Sequence, residues 1–146
     1  MLKYDDVFGL IRPAVDAHTL GISAVGKLLE ECGYKVFYGD AAISRAVARI
    51  TKINNIGLLT GWINKNRITR LGFSYRLEPE NAQIFFGVFY KKLKEIKLLQ
   101  ESGGAIRRIY FAGLPEACEI IKSEYDNKIP VFSGDETQAE TLIKLG

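Results

Sequence analysis

The segment Asp16-Ala17-His18-Thr19-Leu20-Gly21 holds the residue types best suited to chemistry in this chain. His18 is its only histidine. A neutral imidazole binds metals and exchanges protons near neutral pH. An aspartate two residues earlier can accept the proton on one ring nitrogen. That fixes the tautomer and leaves the other nitrogen free to ligate a metal. A lone histidine in a loop is more often a hydrogen-bonded surface residue, so its place in the fold has to decide between the two. Gly21 allows close approach of backbone where a helix begins. Elsewhere the chain offers no nucleophile–base pair, no zinc or iron–sulfur spacing and no dinucleotide fingerprint.

The surrounding pattern alternates strand-like apolar runs with segments of helical period, which reads as βαβ units and a parallel sheet. The first strand spans about Asp6 to Arg12, and Pro13 ends it because proline cannot donate to a ladder. A loop from Ala14 to Leu20 follows. The first helix begins near Gly21 with Val25, Leu28, Leu29 and Cys32 as its apolar stripe, and Gly33 sits where a left-handed cap belongs. The second strand is Tyr34 to Tyr38. A helix near Ala41 to Thr51 carries Ile43, Ala46, Val47 and Ile50 on one side. Ile56 to Thr60 reads as a strand or as the start of a helix reaching Asn66, and the helix is preferred. Thr69 to Ser74 then forms the third strand.

The longest helix opens at Pro79-Glu80 and reaches about Gln100, since proline and an acid suit a first turn. Phe85, Val88, Phe89, Leu93, Ile96 and Leu99 would face the sheet. Phe86 and Tyr90 read as helix packing too, and Lys91, Lys92, Lys94 and Lys97 as a solvated face. Ile106 to Phe111 is the fourth strand, Pro115 to Tyr125 a helix, Ile129 to Phe132 the fifth strand, and a last helix runs to the end of the sequence. Five strands, each followed by helix, imply an α/β doubly wound, Rossmann-like or flavodoxin-like domain over residues 1–146. Such sheets bind ligands beyond the carboxyl ends of their strands, where strand order reverses. The loop carrying His18 lies at that edge.

The length suits one domain that buries a core without disulfides. A net charge of +3 is too small to argue for nucleic acid or an anionic membrane. No apolar run reaches the length of a membrane span, and the N-terminus lacks a signal-peptide pattern, so a cytoplasmic protein is expected. Cys32 and Cys118 fall on apolar helix sides and read as buried thiols in a reducing compartment. Trp62 reads as a core or interface anchor.

The run Asp16-Ala17-His18-Thr19-Leu20-Gly21 resembles the Asp-x-His-x-x-Gly signature of the cobalamin-binding domains of methionine synthase, methylmalonyl-CoA mutase, glutamate mutase and the aminomutases. The family's Ser-x-Leu element after the third strand is matched by Ser74-Tyr75-Arg76-Leu77, with one extra residue. Thr60 is the alternative if Ile56 to Thr60 is the third strand. The family's Gly-Gly after the fourth strand is matched by Ala112-Gly113. Its last glycine-containing turn is matched by Ser133-Gly134-Asp135-Glu136-Thr137. The likeness runs along nearly the whole chain.

The resemblance implies cobalamin bound with its own base displaced from cobalt, as adenosylcobalamin or methylcobalamin. His18 would be the lower axial ligand, with Asp16 holding it. Gly21 and Ser74 would line the slot for the displaced nucleotide tail, and Thr19, Leu20, Arg76, Leu77, Ala112, Ser133 and Thr137 would contact the cofactor. Gly113 and Gly134 would allow backbone close to the nucleotide, and Ala112 in place of the first glycine would narrow or shift the slot. Arg76 is suited to a phosphate or propionamide, or to an ion pair with Glu78. The domain would present cobalt to a barrel-type catalytic domain or subunit, for a mutase or a methyl transfer. The alternative is a cofactor-free flavodoxin-like or receiver-like interaction domain. Against it, Arg12-Pro13-Ala14-Val15 is no phosphate loop, and the acidic pair Asp5-Asp6 precedes the first strand.

Overall fold

The computed structural model describes residues 1–16 and 20–146, and of Leu20 the backbone only. Five parallel strands form one sheet: β1 (Val7–Ile11), β2 (Lys35–Tyr38), β3 (Arg70–Tyr75), β4 (Arg108–Gly113) and β5 (Val131–Phe132). Their order is β2-β1-β3-β4-β5. The chain steps outward from β1 to β2, then crosses back to β3 on the other side, so the order reverses between β1 and β3. The flanking helices are α1 (Leu20–Glu31), α2 (Ala41–Ala48), α3 (Ile53–Asn66), α4 (Pro79–Glu95), α5 (Pro115–Glu124) and α6 (Gln138–Leu145). The α/β doubly wound architecture expected from the sequence is present.

The local chemistry explains the helix starts. Asp40 caps α2 by accepting from Ile43 N at 2.9 Å. Pro79 and Pro115 open α4 and α5, where a missing N–H costs nothing. Thr137 caps α6 in a reciprocal box with Glu140. The segment 53–66 is helical, so Thr60 lies on α3, away from the third strand.

The two faces of the sheet are filled unequally. Successive strand residues point to opposite faces. Leu71, Phe73, Tyr75, Ile109 and Phe111 point to the face covered by α2 to α5, where Phe73 packs on Phe86 and Phe89 at ring separations of 5.4 and 5.0 Å. The face under α1 and α6 presents Phe8, Leu10, Gly72, Ser74, Tyr110, Ala112 and Phe132. Its buried apolar cluster holds only Phe8, Leu29, Tyr110, Phe132 and Leu145. Gly72, Ser74 and Ala112 are small and adjacent on β3 and β4, so this face is left underfilled.

An ionic network lies beneath that face at the amino-terminal end. Arg70, buried on β3, donates through Nε to Asp6 Oδ2 at 2.9 Å and through Nη1 to the Tyr110 hydroxyl at 2.6 Å. It also donates to the carbonyls of Leu145 and Met1, both at 2.8 Å. Asp6, likewise buried, accepts from Lys3 N, the Thr69 hydroxyl and Arg107. The network fastens the C-terminal end of α6 to β3 and β4.

Several expectations are corrected. Cys32 lies past the end of α1 and is exposed, because the helix closes at Glu31 and turns at Gly33 with φ +93°. Val88 is exposed and Phe86 takes the buried position, with Ala82, Phe89 and Leu93 as the inward stripe of α4. That helix ends at Glu95 because Lys97 adopts φ 59°, and a 3-10 turn at Gln100–Ser102 follows. Ile106 makes only an isolated bridge to Leu99, so the fourth strand begins at Arg108. Trp62 is half-buried against the main core. Among the described residues, no helix is long and apolar enough to cross a membrane.

Candidate functional site

The underfilled face is a slot of about 260 Å³ opening at the carboxyl edge of the sheet. Its floor is the run of small and aromatic residues on β1, β3, β4 and β5. One wall is α1, through Gly21, Ile22, Val25 and Leu28. The other is α6, through Gln138, Thr141 and Leu145. Arg76, Gly134 and Glu136 stand at the mouth. The slot therefore sits at the topological switch point, where this architecture places its ligands.

The loop after β1 is tied down around Asp16. Ala14 N donates to the Ser44 carbonyl of α2, and Asp16 N to the Pro13 carbonyl, both at 3.0 Å. The Arg12 guanidinium donates to the Asp16 carbonyl. The Asp16 carboxylate is fully buried, and its Oδ2 accepts from Arg76 N at 2.6 Å. A buried carboxylate needs such donors to replace the water it has lost. Asp16 thus locks the loop leading to His18 onto the end of β3. His18, Thr19 and the Leu20 side chain lie outside the described residues.

Ser74 is 4 % exposed and lines the slot, where its hydroxyl is the strand-borne polar group on the floor. Arg76 extends across the strand ends. Its Nη2 donates to the Ser133 carbonyl at 3.1 Å and its Nη1 to the Gly113 carbonyl at 3.5 Å. It does not pair with Glu78.

The turn at the mouth is built by Glu136. Its carboxylate accepts from Ser133 N, the Ser133 hydroxyl and Gly134 N, each at 3.1 Å. Lys144 stands 3.7 Å away. Burial by itself would raise this carboxyl, but the two backbone N–H groups, Lys144 and the Ser133 hydroxyl outweigh it and hold it below its ordinary value. Gly134 has φ +96°, which favours glycine there.

Of the residues expected from the sequence, Gly21, Ser74, Arg76, Ala112 and Gly134 meet around the slot. Of the other described residues, Asp16, Leu77, Gly113, Ser133 and Thr137 do not line it. Asp16 is buried beside it in the loop. Leu77 packs against the main core. Gly113 is a glycine because a Cβ there would stand 2.6 Å from the Tyr75 carbonyl oxygen, a matter of strand packing. Ser133 is occupied with Glu136 and Arg76, and Thr137 with capping α6. Sequence reasoning missed Gly72 and Glu136. Gly72 stands two residues before Ser74 and so shares its face, a signal that was readable. Glu136 acts through a turn geometry that carries no sequence pattern of its own.

Among the described residues, no cluster of three or more His, Cys, Asp or Glu side chains is placed to hold a metal ion. Comparison with models of known protein families and with curated proteins finds no match.

Proposed function

We propose that the domain binds cobalamin with its own base displaced and carries it for a catalytic partner. The observation that carries this reading is the apolar slot at the switch point with Ser74 on its floor. A flat bicyclic base fits such a space: apolar walls take its faces, and one ring nitrogen is an acceptor for a serine hydroxyl. The slot opens beside the loop leading to His18, where the resemblance puts the cobalt ligand.

The chain's own residues have separable tasks. His18 would be the protein ligand to cobalt in this reading. Asp16 is a positioning residue: its buried carboxylate holds the loop through Arg76 N at 2.6 Å. Ser74 orients the base, and the walls of α1 and α6 keep water from it. When bound, cobalamin supplies cobalt–carbon chemistry, either radical rearrangement or methyl transfer. The protein supplies binding and orientation, and a barrel-type domain or subunit supplies the substrate. We place the protein in the cytoplasm, where its two unpaired cysteines stay reduced.

The test is a visible-absorption titration with hydroxocobalamin, comparing the wild type with Ser74→Val and with dicyanocobinamide, which lacks the nucleotide tail. Saturable binding that weakens in the variant and for the tailless analogue is expected. Equal affinity for both corrinoids would exclude use of the slot.

A further inference from the structure

A second cavity, of about 340 Å³, lies at the amino edge of the sheet, opposite the slot, where β4 begins and the chain approaches β5. Leu99, Ile106 and Ile129, all buried, give it an apolar floor. The turn beside it is tied in place: Gln100 N donates to the Ile106 carbonyl at 2.8 Å, and Ile106 N to the Leu98 carbonyl at 3.0 Å. Arg107, Arg108, Lys128 and Glu101 are its charged residues. Arg107 already faces Asp6 at 2.5 Å and Asp5 at 3.5 Å, so that with Arg70 it belongs to a balanced set of two cations and two carboxylates. Arg108 and Lys128 against Glu101 then leave one surplus positive charge at the cavity. Arg108 is only partly buried, yet its Nε is enclosed and has no hydrogen-bond partner among the described residues. A buried donor on a charged group is costly to leave without an acceptor.

We infer that this cavity binds a small monocarboxylate with an apolar body, held by Arg108 and Lys128. The site stands at the edge opposite the slot and does not depend on what the slot holds. The orphan donor selects the chemistry, because Nε–H and a neighbouring Nη N–H of a guanidinium meet the two oxygens of a carboxylate side by side. A turn of the Arg108 side chain toward the cavity exchanges an unmet donor for that two-point contact. The single surplus charge matches a monoanion, and the apolar floor takes the ring or chain that carries the carboxylate. Glu101 opposes the ligand and sets an upper limit on its affinity.

The probe is sodium benzoate, with benzamide as its neutral counterpart of the same shape. Each is titrated into the isotope-labelled full chain and followed by the amide shifts in nuclear magnetic resonance spectra. Benzoate is expected to bind roughly tenfold tighter than benzamide, the worth of one charge-assisted contact. Its shifts should centre on Arg108, Ile109, Lys128 and Ile129. Arg108→Met should bring the two probes to equal affinity. Glu101→Gln should tighten benzoate and Lys128→Gln should loosen it, each by roughly two- to fivefold. Both of these residues are exposed, so the charge variants decide if Arg108→Met does not fold. Failure of benzoate to bind, or equal affinity for benzoate and benzamide in the wild type, overturns the proposal. Shifts confined to Gly72, Ser74 and Ala112 in the slot do so as well. Unchanged benzoate affinity in Arg108→Met, or in both charge variants, would likewise remove the site. Tighter binding of phenyl phosphate than of benzoate would overturn the choice of a monocarboxylate.

Discussion

Replacing Asp6 by alanine should be the most damaging single change outside the slot. Asp6 is 2 % exposed, and its carboxylate faces Arg70 at 2.9 Å as well as Arg107, Thr69 and Lys3 N. Its removal leaves the 3 % exposed Arg70 with only the Tyr110 hydroxyl and two carbonyls for company. Breaking a buried pair from one side costs about 3–5 kcal/mol, because a charge stays buried without its counter-charge. With a urea slope of about 2 kcal/mol/M, the unfolding midpoint should fall by roughly 2 M. The double variant Asp6→Leu/Arg70→Met should be more stable than Asp6→Leu alone, since it removes the stranded charge. A midpoint shift under about 0.5 M for Asp6→Ala would refute the reasoning. Acid provides a second arm. Burial would raise the Asp6 carboxyl, but Lys3 N, Thr69 and the two guanidiniums hold it below its ordinary value. A lowered folded-state value means the unfolded chain takes up the proton first. The stabilisation is therefore complete above the ordinary carboxylate range and is lost as pH falls through the lowered value. Wild type should lose stability on acidification more steeply than Asp6→Ala.

Three further outcomes follow from particular contacts. Ala112→Phe should fill the slot and abolish the hydroxocobalamin spectral change while the melting temperature holds, and normal binding would mean the slot is not used. Gly113→Ala drives a Cβ to 2.6 Å from the Tyr75 carbonyl oxygen and 2.8 Å from the Phe111 ring. It should lower Tm by roughly 2–12 °C, and an unchanged Tm would contradict the close packing of β3 and β4. Cys32 is exposed, whereas burial pushes the Cys118 thiol up and its Sγ donates to the Phe132 carbonyl at 3.3 Å. One thiol should react quickly with a disulfide reagent in the native protein and two after unfolding; two fast thiols would refute the buried placement.

Much of the fold is legible in the residue pattern, for reasons that show where legibility stops. β3 and β4 are flanked by helices on both faces and read as nearly continuous apolar runs, and Gly33 and Pro79 mark helix ends directly. The long helix is over-read because Leu98 and Leu99 continue its apolar spacing, while the turn at Lys97 depends on a left-handed backbone that period does not reveal. Cys32 keeps the period of α1 but falls one residue past its end. Around the slot, Ser74, Ala112 and Gly134 are legible through the resemblance. The emptiness itself is not, since it arises only when Gly72, Ser74 and Ala112 become neighbours across paired strands, with Gly72 beside Tyr110 and Ser74 beside Ala112. The second role of Asp16, as acceptor for Arg76 N, joins residues 60 apart in sequence.

The most direct measurement is the absorption titration of the purified chain with hydroxocobalamin, run beside His18→Ala. A saturable spectral change in the wild type that His18→Ala loses or weakens strongly is the expected result, and it would turn attention to the catalytic partner. Identical spectra and affinity in both proteins would contradict histidine ligation. Absence of binding by the wild type would contradict the cofactor reading altogether and favour an interaction domain.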